Sequence, residues 1–230
     1  MDIPKILFEN TDIIVVDKPA GMPTHPSRLH QGDSLADALA DYLSAPGQDF
    51  IFRSVNRLDR DTSGLVLIAR TAEAAAHYNR LMRERRISRE YEALVEDDGS
   101  LPGHGTIDAP IARACTADPH DISRCVDHTS GERAVTHYSV AERGQGYARV
   151  RFLLETGRTH QIRVHMAYIG HPIIGDHLYN SHAAPSELAK LRAVRITVGD
   201  DDGMMEFSAE PLSSEPLSSK PFSSKAFPAE

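Results

Sequence analysis

Asn56-Arg57-Leu58-Asp59-Arg60-Asp61-Thr62-Ser63-Gly64 runs directly into Leu65-Val66-Leu67-Ile68-Ala69. The second half is fully apolar and has the length of a buried strand. The first half is dense in charged and hydrogen-bonding groups that a core does not select. A second polar segment follows another strand pattern: Glu155-Thr156-Gly157-Arg158-Thr159-His160-Gln161-Ile162-Arg163-Val164-His165. It is expected to open a helix, with Thr156 or Thr159 near the cap, where an anion would meet free backbone N–H groups and arginine side chains.

Around these two segments the chain alternates short strands with a few amphipathic helices. Strands are expected at 13–17, 65–69, 91–95, 134–140, 147–154, 194–198 and 204–208. Residues 34–43, SLADALADYL, repeat apolar positions at helical spacing, with Ser34 or Asp33 as the cap. Thr71 is expected to cap a helix reaching about Arg86, with Ala75, Tyr78, Leu81 and Met82 on its buried stripe. Residues 101–131, rich in Pro, Gly, Asp and His, read as loops, and 199–203 as a solvated hairpin tip. From about Glu210 a degenerate repeat, EPLSS-EPLSS-KPFSS, excludes a helix and sustains no hydrophobic period. The expected organisation is one domain over 1–209, with no appended RNA-binding module, followed by a disordered Pro/Ser-rich tail over 210–230.

The net charge of −8 argues against a polyanion partner until its distribution is read. Residues 53–90 hold nine basic against five acidic residues, and 143–165 hold five against one. Each polar segment therefore sits in a basic island, and phosphate affinity follows local charge. On charge alone these islands read equally well as solvated faces. No apolar run is long enough to span a bilayer, and the N-terminus shows no secretory signal. Cys115 and Cys125 make no disulfide framework in 230 residues, which points to a reducing cytoplasm. Their spacing, with His104, His120 and His128 nearby, fits no standard zinc site, so no metal is expected.

Arg57-Leu58-Asp59-x-x-Thr62-Ser63-Gly64, taken with Gly157-Arg158-Thr159-His160-Gln161-Ile162-Arg163-Val164-His165, is similar to the RluA-type pseudouridine synthase family. Asp17-Lys18-Pro19-Ala20-Gly21 and Gly170-His171-Pro172-Ile173-Ile174-Gly175-Asp176 support the resemblance and fall in the family's order. It implies an α/β fold on a mixed, largely antiparallel sheet with a cleft across its middle. It implies Asp59, Tyr91 and Arg163 as catalytic residues: an aspartate acting at the ribose, a tyrosine stacking on uracil, and an arginine paired with the aspartate. Arg57, Ile162, Arg158 and His160 would bind substrate. The implied activity is a cofactor-free isomerisation of uridines in ribosomal or transfer RNA; no DNA or membrane partner is expected, and a monomer is the default expectation.

Taken alone, Asp59 beside Arg57 and Arg60 also reads as a surface ion pair, and Tyr91 as a half-buried core tyrosine. Two departures from the family stand out: Asn56 where the motif opens with His, and Leu191-Arg192-Ala193 where it has Leu-His-Ala. They are the sole support for a competing expectation, an RNA-binding protein whose catalysis has lapsed. A small-molecule hydrolase using Asp59 lacks a second acid.

Overall fold

The chain's computed structural model describes residues 3–27, 31–43, 51–116, 121–201 and 203–212. In chain order the elements are β1 (Lys5–Glu9), β2 (Ile13–Lys18), α1 (Leu35–Leu43), β3 (Arg53–Ser54), β4 (Ser63–Ala69), α2 (Ala72–Arg83), β5 (Ile87–Glu96) and β6 (His104–Asp108). There follow β7 (Ile111–Arg113), β8 (Arg124–Val126), β9 (Val135–Gly144), β10 (Tyr147–Leu154), α3 (Gln161–Tyr168), β11 (Leu191–Asp200) and β12 (Gly203–Ser208). The main sheet runs β1-β2-β4-β11-β5-β10-β9-β6, with β3 on β4 and β12 on β11. Every pairing in it is antiparallel except β4 with β11. The mixed, largely antiparallel sheet implied by the resemblance is therefore the sheet observed.

Two cores explain the apolar runs. Ile14, Val16, Val66 and Ile68 face one side with Leu35 and Leu39 of α1, while Ile13, Val15, Leu65 and Leu67 face the other with Tyr78 and Leu81 of α2. Strands buried on both faces lose the polar alternation of a one-sided sheet. Ser34 does cap α1: its Oγ accepts from Asp37 N–H at 3.2 Å and donates to the Asp37 carboxylate at 2.6 Å. Thr71 caps α2, accepting from Ala74 N–H at 3.1 Å. That helix ends at Arg83, three residues short of the expectation. Arg85 turns left-handed (φ 59°), and the N–H groups of Arg85 and Arg86 return to the carbonyls of Met82 and Leu81.

Further differences follow from edges. β6 buries Ile107 alone, so it carries no alternation to read, and β7 and β8 are three residues each in a separate hairpin. Residues 101–131 thus contain strands where loops are expected, and β1, an outer strand, lies outside the strands expected. The acidic tip after β11 is braced, with Asp200 on His77 and Asp201 on Arg86, both at 2.8 Å. Beyond β12 the chain returns to the sheet: Glu210 O accepts from Arg192 at 2.7 Å, and Leu212 N–H donates to Glu92 at 3.1 Å. His120, Asp202 and residues 213–230, with most of the repeats, lie outside the described residues.

One row of paired residues crosses seven strands: Lys18, Gly64, Ala193, Tyr91, Phe152, Tyr138 and Gly105. Directly paired residues face the same side of a sheet. The loop entering β4 and the side chain of Tyr91 are therefore brought together across the single strand β11.

Candidate active site

The loop carrying Asp59 is held from four directions. Thr24 Oγ1 donates to Leu58 O at 2.7 Å and accepts from Leu58 N–H at 3.1 Å. Gly21 N–H and the Lys18 ammonium donate to Arg60 O at 2.9 and 3.1 Å. The same ammonium reaches Pro19 O and Met22 O at 2.9 and 2.6 Å. Burial pushes its pKa down to about 7, yet three carbonyls use all three N–H donors of the charged form, and a neutral amine has just two. Asn56 accepts from Leu67 N–H at 2.8 Å and donates to Leu65 O at 3.1 Å, fastening the loop to β4. The Asp-Lys-Pro-Ala-Gly motif is thus the clamp for the aspartate loop. Asn56 is a brace that does not line the cleft.

The second segment turns into α3 through His160, whose backbone is left-handed (φ 58°) at the N-cap. No side chain caps this helix, so Thr156 and Thr159 do not act as caps. Thr156 and the Arg158 N–H instead donate to Gln161 Oε1 at 2.8 and 3.0 Å. Gln161 Nε2 in turn donates to Val135 O and Thr136 Oγ1, both at 3.0 Å. His165 bonds Thr136 Oγ1 at 2.8 Å and Ala109 O at 2.9 Å. Gln161 and His165 are struts tying α3 to the strands behind it.

Arg163 corrects an expectation. Its pairing with Asp59 is not present; the guanidinium makes a bidentate bond to Asp176, Nε–Oδ2 2.7 Å and Nη2–Oδ1 2.6 Å. The two side chains are 2% and 0% exposed. Tyr179 stacks on the guanidinium, 5.1 Å from ring centroid to Cζ. The physical reason is burial: a charge this deep needs a partner in hydrogen-bond reach, and Asp176, two turns along the loop after α3, supplies both oxygens. Tyr179 also meets His160 Nδ1 at 2.7 Å and accepts from Arg124 N–H at 2.8 Å. Burial raises the Tyr179 phenol to about 12 and lowers the His160 imidazole. Both shifts favour a phenol O–H donating to a neutral ring.

These elements enclose a cleft of about 90 Å3 lined by Asp59, Tyr91, Arg163, Arg57, Ile162, Arg158 and His160 together with Thr62, Arg89 and Gln161. All seven residues singled out from the sequence face one space. Tyr91 is 5% exposed and joins the core while also lining the cleft. The Asp59 carboxylate makes no hydrogen bond or ion pair among the described residues, so the surface-pair alternative fails; Arg60 pairs with Asp61 at 3.0 Å instead. Arg57 and Arg89 likewise make no ion pair among the described residues, whereas Arg158 is tied to Glu132 and donates to Arg133 O at 3.1 Å. Arg89, Gln161, Asp176 and Tyr179 have roles the sequence does not assign them. Arg89 and Tyr179 lie outside both polar segments, and nothing in their local patterns marks them. Among the described residues no three His, Cys, Asp or Glu side chains come together to hold a metal ion.

The chain is similar to known proteins in sequence and in fold. The sequence model of the family described as RNA pseudouridylate synthase matches residues 12–168. Ribosomal large subunit pseudouridine synthase D of Pseudomonas aeruginosa is 43% identical over 183 residues, covering 76% of this chain and 53% of that protein. The Haemophilus ducreyi protein of the same name is 39% identical over 180 residues, covering 78% and 54%. The chain spans about half the length of these curated relatives. Among solved structures, human RNA pseudouridylate synthase domain containing 1 superposes with a TM-score of 0.72 at 27% identity, covering 90% of this chain and 82% of the other. Human RNA pseudouridylate synthase domain containing 4 gives 0.71 at 23% identity, covering 90% and 88%, which bears on the fold alone.

Proposed function

The chain belongs to the RNA pseudouridylate synthase family, and from that premise we propose that it isomerises uridine to pseudouridine in large-subunit ribosomal RNA, with Asp59 as the group that acts at C1′. The observation that carries this reading is the free Asp59 carboxylate, clamped by its loop and facing a cleft lined by Tyr91 and by arginines. The choice of ribosomal RNA rests on the names of the relatives.

Isomerisation breaks N1–C1′, turns the uracil, and joins C5 to C1′; the C5 proton leaves and N1 gains one, so reactant and product balance without a further reagent. A carboxylate beside C1′ acts as nucleophile or stabilises an electron-poor sugar. Because Asp59 has no bonded partner among the described residues to surrender, it is available as the substrate arrives. Arg163 acts on it through charge alone, since Asp176 holds the guanidinium in place. Tyr91 offers a flat face on which the detached base turns without escaping, with Ile162 packed across the cleft. Bringing a base out of its stack costs a few kcal/mol. Arg57 and Arg89, with no ion pairs to break among the described residues, offset part of that through phosphate contacts. The two departures from the family pattern touch none of these groups: Asn56 braces β4, and Arg192 pairs with Asp17 at 2.5 Å.

The test is a purified reaction on unmodified large-subunit RNA, read by mass-resolved mapping. Wild type should form pseudouridine at a defined uridine, and Asp59→Asn should bind the same RNA and form none. An active Asp59→Asn would end the mechanism.

A further inference from the structure

Thr62 lines the cleft, and the mechanism above leaves it without a task. Its side chain is buried (2% exposed), and its Oγ1 has no hydrogen-bond partner among the described residues. Buried hydroxyls are nearly always bonded, because an unpaired one gives up water and gains nothing in return. Among the described residues just one other buried side-chain polar atom shares this condition, Nδ1 of His177, and it does not line the cleft. The backbone of Thr62 is already engaged: its N–H donates to Asp59 O at 3.2 Å, closing the turn that presents the aspartate. One tight turn therefore holds two unpaired polar groups beside one cleft, the Asp59 carboxylate and a Thr62 hydroxyl enclosed in the wall. Three polar side chains nearby are satisfied. Asn56 makes two bonds, Thr24 makes two, and Gln161 uses both ends of its amide. An unsatisfied buried hydroxyl beside an unpaired carboxylate, among amide and hydroxyl groups that are bonded, marks a place where the partner arrives with the ligand.

We propose that Thr62 contacts the substrate, its hydroxyl hydrogen-bonding the ribose 2′-hydroxyl of the target nucleotide. The proposal rests on the synthase reading and deepens it. The turn selects the sugar side. Asp59 must approach C1′, so a hydroxyl three residues along the same closed turn lies by the ribose, whereas Tyr91 and Ile162 enter from β5 and α3 toward the base. The 2′-hydroxyl is bonded to the carbon next to C1′ and can both donate and accept. A contact of this kind fixes the sugar against the carboxylate and favours ribose over deoxyribose.

Thr62→Val keeps the shape and removes the hydroxyl, and Thr62→Ser keeps the hydroxyl. On an RNA that wild type converts, the single-turnover rate of Thr62→Val should fall about tenfold or more, equal to about 1.4 kcal/mol. Thr62→Ser should stay within about threefold of wild type on the same scale. The melting temperature of Thr62→Val should equal or exceed that of wild type, because no bond is lost in the free protein. On the same RNA carrying 2′-deoxyuridine at the target, the ratio of wild type to Thr62→Val should shrink toward one. A wild-type rate in Thr62→Val, a lower melting temperature, or an undiminished ratio on the deoxy substrate would each overturn the proposal. An inert wild-type protein would instead overturn the synthase reading beneath it.

Discussion

Replacing Asp176 with asparagine removes the counter-charge of a guanidinium that is itself fully enclosed. Arg163 and Asp176 exchange two bonds of 2.6 and 2.7 Å, and neither side chain is more than 2% exposed. Breaking such a pair from one side costs about 3–5 kcal/mol, because the survivor is left charged in the interior. Asparagine keeps one acceptor oxygen, which places the expected loss near the lower end, about 3 kcal/mol. For a domain of this size each kcal/mol lowers the midpoint by about 2–4 °C, so Asp176→Asn should melt roughly 6–12 °C below wild type. Asp59 is the other carboxylate acting on Arg163. With Asp176 neutral, the guanidinium should turn toward Asp59 and occupy it, lowering turnover as well as stability. The control is Arg163→Met with Asp176→Leu, which exchanges the pair for apolar bulk and should recover most of the midpoint but none of the activity. Thermal melts followed by circular dichroism decide the matter. A single variant melting within about 2 °C of wild type would refute the claim that this pair carries a buried charge.

Two other perturbations test the frame around the cleft. Gly64 has φ +109°, and a Cβ there would lie 2.2 Å from Ala193 O; Gly64→Ala should therefore force β4 from β11 and cost more than about 3 kcal/mol, read as a lost or strongly lowered urea midpoint, whereas a midpoint near that of wild type would contradict the close approach. Burial holds the imidazoles of His160 and His165 below the ordinary 6.5, so between 6.5 and their folded values the unfolded chain binds protons the native protein does not. Stability from this source is complete above pH 6.5 and is lost as the pH falls below it, by at most about 1.4 kcal/mol per pH unit for each proton; a urea midpoint that is flat or rises on acidification would contradict the assignment.

Much of this architecture is legible in the chain because local chemistry and tertiary role agree. Strands buried on both faces must be apolar throughout, so β2 and β4 announce themselves. Ser34 and Thr71 cap because their side chains satisfy the first N–H groups of a helix, a purely local matter. The motif residues also converge, since the Asp59 turn and Tyr91 meet across one row of the sheet. What the sequence withholds is partner choice. Asp176 is thirteen residues from Arg163 and Asp59 is more than a hundred, but neither distance says which carboxylate the guanidinium takes. Thr156, Thr159 and His160 are all polar at a helix start, and only the fold decides that His160 occupies the cap, with its ring held by Tyr179. The edge strand β6, with one buried side chain, offers no period at all. Arg89 looks like any basic residue at a strand's start, and its place in the cleft comes from the pairing of β5 with β11 and β10.

The most direct measurement maps pseudouridine across the ribosomal RNA of cells that contain wild-type protein, the Asp59→Asn variant, or none. The account predicts one or a few large-subunit uridines modified in the first and unmodified in the other two. A map identical in all three would contradict it.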